Sequence, residues 1–221
     1  MITVVDTTSL RIPLGEICLA GTLAVPPSSE GLVVFVHRGN PFDVRVASLL
    51  HQRGLSTLLL DVVTLEEARQ GELDVTVGVR ADRLIGAVDG IVAGGLHRGQ
   101  PIGLFGGELG ATAALITAAR RIHVVSAVVC HGGRPDLAGV WLAVLRTPTL
   151  LIVGSRDTSV LRVNRDTART LVAPHKVAVI PGAAHRFEEP GAIDEVAAAA
   201  GTWFTRHLFG ASTAFPSMAT S

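Results

Sequence analysis

Short apolar runs bounded by Gly, Pro or charged residues recur along the chain, and this repetition constrains the fold more than any other feature. Six such runs span residues 31–37, 55–62, 101–106, 124–130, 149–155 and 175–182. Most of them alternate little between apolar and polar residues, which is typical of strands buried on both faces. Two earlier runs, residues 2–12 and 17–25, alternate more and predict an antiparallel hairpin at a sheet edge.

Helical patterns lie between and after these runs. Apolar residues recur on one helical face in segments 44–53, 84–92, 111–119 and 193–208. Strands that alternate with helices predict an α/β fold with a mostly parallel central sheet and helices on both faces. The length suits a single domain over residues 1–209, and the small, polar, Pro-containing tail 210–221 predicts disorder.

The composition argues against several classes of partner. Nineteen basic and nineteen acidic residues cancel and are not clustered, so nothing indicates nucleic acid or a membrane surface. No apolar run approaches the roughly 18 residues of a membrane span. The first residues lack the pattern of a signal peptide, so we expect a cytoplasmic protein. Two cysteines, Cys18 and Cys130, are too few for a disulfide framework or a cysteine-based zinc site.

Ionisable residues gather where the predicted strands end. Because ligands of open α/β sheets bind outside the carboxyl ends of the strands, this edge is the expected functional site. The residues that follow strands there are His37, Arg38, Gly39, Asn40, Asp61, Glu108, Cys130, His131, Gly132, Asp157 and His185.

The stretch "GLFGGELGA" has the Gly-x-x-x-Gly spacing of a nucleophile elbow, in which a strand turns sharply into a helix. Together with "VFVHRGN", "HGGRPDLAG", "TPTLLIVGSRD" and "IPGAAHRFEEPGAIDEVA", it resembles the α/β-hydrolase superfamily, within it the small dienelactone-hydrolase-like branch without a lid. The resemblance covers nearly all of residues 20–208.

The resemblance implies specific roles. Asp157 would be the triad acid and His185 the triad base. Oxyanion or substrate contacts would come from His37, Arg38, Gly39, Asn40, Leu109 and His131. The usual nucleophile, Ser or Cys, is replaced by Glu108. The short segment between the strands that end at Cys130 and begin at Thr149 leaves no room for a lid domain.

Four interpretations of Glu108 remain open at this point. It could be a carboxylate nucleophile that forms an ester later hydrolysed by water that His185 activates. It could act as a general base or orient His185. It could join His37, His131, His185 and Asp157 around a metal, or it could form a salt bridge to Arg38 or Arg134.

Comparison with carboxylate nucleophiles elsewhere in the superfamily limits the first interpretation. Epoxide opening there relies on lid tyrosines, and this chain has no tyrosine. Halide binding usually enlists a tryptophan directly after the nucleophile, where Leu109 stands. Cys130 is a second conceivable nucleophile, although filler at a buried strand end explains it better.

These observations favour a hydrolase that acts on a small ester, a lactone or a related carbon electrophile. The competing hypothesis is a catalytically dead pseudo-hydrolase that binds a small molecule. We expect a small-molecule substrate and no metal or other cofactor, and the sequence leaves homo-oligomerisation open.

Overall fold

A computed structural model describes residues 5–37, 39–71 and 75–209. Within these ranges, eight strands form one sheet in the order β1-β2-β4-β3-β5-β6-β7-β8. They are β1 (Asp6–Leu14), β2 (Ile17–Val25), β3 (Gly31–His37), β4 (Leu55–Asp61), β5 (Ile102–Gly107), β6 (Val125–His131), β7 (Thr149–Gly154) and β8 (His175–Ile180). β1 and β2 form the expected edge hairpin, β2 pairs antiparallel with β4, and the remaining pairs are parallel. The predicted mostly parallel sheet is therefore confirmed.

Helices cover both faces of this sheet. They are α1 (Pro41–His51), α2 (Leu65–Arg69), α3 (Val77–Ala93), α4 (Glu108–Arg120), α5 (Trp141–Val144), α6 (Thr158–Ala168) and α7 (Ala192–Leu208), with a short 3-10 helix at Pro135–Ala138. None of the helices in the described ranges is both long and apolar enough to cross a membrane.

The sheet divides the core into two layers. Val34 and Leu104 point to the layer shared with α3 and α4, whereas Phe35 and Phe105 point to the layer shared with α1 and α7. Consecutive residues of a strand thus pack into opposite apolar layers. Both faces of the strand are buried, which explains why the runs show so little alternation between apolar and polar residues.

Close contact between β5 and α7 depends on a missing side chain. A Cβ on Gly103 would lie 2.6 Å from Cε1 of Phe204, which is fully buried. Glycine at this position therefore lets the final helix lie directly on the centre of the sheet.

The predicted helices differ from the observed ones mainly at their ends and in number. α3 begins at Val77 and α4 at Glu108, each earlier than the apolar pattern indicated. The periodicity missed α6, whose sequence TSVLRVNRDTA buries only four residues. Between β6 and β7 the chain holds only the 3-10 helix and α5, so no lid domain is inserted there. The tail 210–221 lies outside the described residues.

Candidate active site

Glu108 stands at a sharp corner between a strand and a helix. β5 ends at Gly107 and α4 begins at Glu108, with no residue between them. The backbone of Glu108 has a φ of 47°, in the left-handed region that a residue with a side chain rarely adopts. This is the strained strand-to-helix turn of a nucleophile elbow.

Two glycines make the corner sterically feasible. A Cβ on Gly106 would lie 2.6 Å from the carbonyl carbon and oxygen of Gly110, and one on Gly110 would lie 3.0 Å from a methyl group of Val36. The first contact involves backbone atoms that cannot move aside. The spacing that marked the elbow in the sequence therefore reflects the close approach of β5 and α4.

Asp157 and His185 form a hydrogen-bonded pair beside this corner. Asp157 follows β7 and caps α6, and His185 lies in the loop after β8. The Asp157 Oδ2 atom lies 2.6 Å from His185 Nδ1, while Asp157 Oδ1 accepts a 3.3 Å hydrogen bond from the Val160 amide. The carboxylate is nearly buried and the imidazole half-exposed, with 10% and 45% side-chain exposure. The pair holds the ring in one orientation and leaves Nε2 available to a substrate.

One pocket joins the corner to this pair. Its volume is about 430 Å³, and the ionisable and aromatic residues around it include Glu108, His131, His185, Phe42 and Phe187. Asn40 and Gly132 also line it. Asp157 does not line the pocket and reaches it through His185. The structure thus brings Glu108, His131 and His185 together, as the strand ends indicated.

His131 is held in an aromatic cage. Its ring stacks on Phe42 at 4.6 Å and on Phe105 at 5.0 Å between ring centroids. A Cβ on Gly107 would lie 2.4 Å from His131 Cε1, so glycine makes room for the ring. Burial lowers the pKa of His131 to about 4, although the carboxylates of Asp43 and Glu108 act in the opposite direction. The imidazole is therefore neutral at pH 7.

Asp43 is a buried residue of this region that the sequence interpretation missed. Its Oδ2 atom lies 2.9 Å from His37 Nδ1 and accepts a 3.0 Å hydrogen bond from Asn40 Nδ2. Its Oδ1 atom lies 3.8 Å from His131 Nε2. The available signal was "NPFD", in which Asn40 caps α1, Pro follows, and the acidic residue falls in the first turn.

The turn after β3 contributes to two different pockets. Asn40 lines the Glu108 pocket, whereas His37 and Gly39 line a separate one together with Asp61. Arg38 lies outside the described residues. Leu109 is 39% exposed in the first turn of α4, where backbone N–H groups have no partner within the helix. The assignment of oxyanion donors to this turn and to Leu109 stays a prediction.

Arg134 and Cys130, two other candidates at this site, have partners of their own. Arg134 forms two hydrogen bonds to Asp136, at 2.8 and 2.6 Å. Cys130 is buried, burial raises the pKa of its thiol, and its sulfur lies 3.6 Å from the Ala111 carbonyl oxygen, which suits a structural role. Within residues 5–37, 39–71 and 75–209, no cluster of three or more His, Cys, Asp or Glu side chains has the arrangement of a metal site.

Comparison with known proteins adds independent findings. A sequence model described as the dienelactone hydrolase family matches residues 86–209. The crystal structure of a dienelactone hydrolase from Anabaena variabilis is 39% identical, has a TM-score of 0.88, and is covered over 99% of its length by 92% of this chain. Est1E from Butyrivibrio proteoclasticus, at 16% identity and a TM-score of 0.75 over 90% of this chain and 98% of its own, shares the fold.

Curated relatives carry a different name. Proteins of two Mycobacterium tuberculosis strains, each called "Putative phosphoribosyl transferase", are 40% identical over 206 residues. The match includes 91% of this chain and 46% of each relative. The chain therefore spans about half the length of these relatives.

Proposed function

We propose that this chain, which belongs to the dienelactone hydrolase family, hydrolyses a small ester, a lactone or a related carbon electrophile, with Glu108 in the position of the nucleophile. In this proposal His185 is the base, Asp157 is the acid that orients it, and the pocket of about 430 Å³ receives the substrate. That volume is within the usual range for small-molecule sites, about 300–1,000 Å³.

The observation that carries the proposal is the backbone of Glu108. A φ of 47° is unfavourable for a glutamate, and this residue lines the same pocket as His185. Strained backbone of this kind clusters at functional sites and costs on the order of 1–3 kcal/mol.

The proposed reaction has two steps. In the first, a carboxylate oxygen of Glu108 bonds to the substrate carbon, and the leaving group departs with the electrons of the broken bond. The intermediate is an ester if the carbon is saturated and an anhydride if it is an acyl carbon. In the second step, His185 Nε2 takes a proton from water, the hydroxide adds to the intermediate, and its collapse releases the product and restores the Glu108 carboxylate. The His185 imidazolium then gives its proton to the leaving group or to solvent, which restores the base.

Mass spectrometry of a stalled enzyme tests this assignment. We expect the His185→Ala variant, incubated with short-chain aryl esters, lactones, epoxides and haloalkanes, to gain the mass of the substrate fragment on the peptide containing Glu108. The same variant with Glu108→Gln should gain none. The matched control is Glu188→Gln, which neutralises another carboxylate lining the same pocket and should leave the adduct in place. Turnover by the wild type without any adduct on Glu108 would refute the nucleophile and favour a general base.

A second candidate function is binding without catalysis. It is favoured by the residue itself, because members of this branch usually carry Ser or Cys where Glu108 stands. This hypothesis expects a wild type that is silent on the whole substrate panel. A Glu108→Ser variant that gains esterase activity would show that the Asp157–His185 pair and the oxyanion donors are competent. A folded Glu108→Ser protein with no activity would count against the triad assignment.

The name of these relatives does not imply that this chain has transferase activity. We infer that the matched half of those proteins is their hydrolase-like part, because the family match at residues 86–209 falls largely within the aligned region. Phosphoribosyl chemistry would then belong to the half that this chain does not cover. Release of pyrophosphate from phosphoribosyl pyrophosphate by this chain would contradict that inference.

A further inference from the structure

A second pocket lies on the other side of the turn that follows β3. Its volume is about 480 Å³, and none of the described residues lines both this pocket and the Glu108 pocket. Its titratable side chains are those of His37, Asp61, Arg11 and Cys18, and Val63 and Leu65 contribute apolar surface. In the sheet, β3 lies between β4 and β5. The second pocket is on the β4 side of β3, and the Glu108 pocket is on the β5 side.

His37 presents a fixed hydrogen-bonding group to this pocket. The residue is 7% exposed, and its Nδ1 atom is held 2.9 Å from Asp43 Oδ2. Asp43 is in turn fixed by Asn40. This pair of Asp43 and His37 repeats the arrangement of Asp157 and His185, in which one ring nitrogen is held by a carboxylate. The other ring nitrogen of His37, Nε2, has no hydrogen-bond partner among the described residues.

Asp61 places a carboxylate in the same pocket. It ends β4, directly opposite His37 in the parallel register, and it is half-buried. No described residue donates a hydrogen bond to it, and burial raises the pKa of its carboxyl group, an effect that nearby His37 opposes. A half-buried carboxylate without donors has lost water without gaining a replacement, so a ligand hydroxyl or amine would bind it favourably.

Arg11 supplies the opposite charge across the pocket. It lies on the edge strand β1 with an exposed side chain, and in the described part of the chain neither Arg11 nor Asp61 forms an ion pair. Complementary charges that line one pocket without neutralising each other leave both ends available to a ligand. A guanidinium suits a carboxylate or phosphate group, whereas Asp61 and His37 suit hydroxyl groups.

We propose that this second pocket binds a small hydroxylated anion, with its anionic group on Arg11 and its hydroxyls between Asp61 and His37. The site is independent of the chemistry proposed for Glu108. A Glu108→Ala variant should therefore bind the ligand unchanged, and failure of one proposal leaves the other testable.

Amide chemical shifts of the isotope-labelled chain, titrated with glycerol phosphate, test the site. We expect saturable shifts at Thr64, Leu65 and Ala20, and none at Gly132 or Arg186 in the Glu108 pocket. Asp61→Asn and Arg11→Gln should each weaken binding by about 10-fold or more, because each removes a charge-assisted hydrogen bond. Glycerol alone and inorganic phosphate alone should each bind the wild type no more tightly than glycerol phosphate binds these variants.

The controls are charge changes outside the pocket. Glu66→Gln on α2 and Arg162→Gln on α6 alter exposed residues that do not line it, so binding should be unchanged. Unchanged thermal midpoints of Asp61→Asn and Arg11→Gln would show that both variants are folded. Absence of saturable shifts at millimolar ligand, equal binding of inorganic phosphate, or wild-type affinity in both pocket variants would overturn the proposal.

Discussion

The elbow depends on the absence of a side chain at Gly106. Its Cα faces the backbone of Gly110 so closely that any side chain would displace the start of α4. The corner therefore needs small residues on its inner side to keep Glu108 pointed outward, whatever chemistry Glu108 performs.

We expect Gly106→Ala to lower the free energy of unfolding by about 3 kcal/mol, because the new Cβ would lie 2.6 Å from backbone atoms of Gly110. The matched control is Gly90→Ala, on the exposed side of α3, where the nearest atom would be 3.7 Å away. That change should stabilise the protein by about 0.5–1 kcal/mol through helix propensity. Urea unfolding monitored by circular dichroism measures both, and equal effects would refute the steric argument.

The protonation of His131 also has a consequence at the level of one residue. Its pKa is about 4 in the folded protein and near 6.5 when unfolded. As the pH falls, the unfolded state therefore binds a proton before the folded state does. The free energy of unfolding that this group contributes is fully present above pH 6.5 and decreases between pH 6.5 and about pH 4. We expect protonation of His131 alone to lower the free energy of unfolding by roughly 2–3 kcal/mol over that interval.

Two measurements check this expectation. His131→Phe keeps the aromatic stack but cannot titrate, so its stability should fall less than that of the wild type between pH 7 and pH 4.5. In the wild type, the proton signals of the His131 ring should stay unchanged from pH 8 to pH 5.5. A midpoint near pH 6.5 for that ring would show that the cage does not exclude the charged form.

Among the secondary-structure elements, helices α2 and α3 are connected by the hydrogen bonds of Glu67. Its Oε2 atom accepts hydrogen bonds from the Thr64 amide and hydroxyl at the start of α2, and its two oxygens meet Arg83 of α3 at 2.8 and 2.6 Å. The Arg83 guanidinium lowers the pKa of Glu67 to about 2. The ionised carboxylate therefore stabilises the fold above its unfolded pKa of 4.5, and this contribution disappears as the pH falls towards 2.

We expect Glu67→Gln to destabilise the protein by about 2 kcal/mol at pH 7, a value reduced from the full shift because the carboxylate is partly exposed. Glu66→Gln, in the same helix turn but exposed, should change stability by less than about 0.5 kcal/mol. The gap between Glu67→Gln and the wild type should narrow at pH 3. A gap that is equally large at pH 7 and pH 3 would mean that charge is not its cause.

The elements also show what the sequence can and cannot predict. All eight strands were predicted, because a parallel strand buried on both faces is a continuous apolar run. α6 was not, because its stability comes from a few buried contacts and from the Asp157 cap rather than from an apolar stripe. The elbow at Glu108 was predicted because its glycines are close in sequence.

The arrangement of the strand ends was only partly predictable. Asp61 and His37 share the carboxyl edge with Glu108, but the order β4-β3-β5 places them in a different pocket. The role of Asp43 depends on α1 bringing it between two histidines that are 94 positions apart in the chain (131 − 37). No local pattern contains such a contact.

At the scale of the molecule, the sheet separates two apolar layers that must fold together if residues 1–209 form one domain. α7 closes one layer through Phe204, which is fully buried against Gly103 of β5. The other face of β5 supports Leu104 in the opposite layer. Strands β3 to β8 thus contribute residues to both layers, so loss of packing on one side removes support from the other.

We therefore expect Phe204→Ala to lower the free energy of unfolding by about 3–5 kcal/mol and to shift both layers equally. The two tryptophans report on them separately, because Trp203 packs with the α7 layer and Trp141 with the α4 layer. Fluorescence of Phe204→Ala should show one common urea midpoint in Trp141→Phe and Trp203→Phe backgrounds. Val140→Ala, at an 81% exposed position, should shift neither signal. A midpoint that moves for Trp203 but not for Trp141 would mean that the layers unfold independently, and the expectation of one cooperative domain would then be wrong.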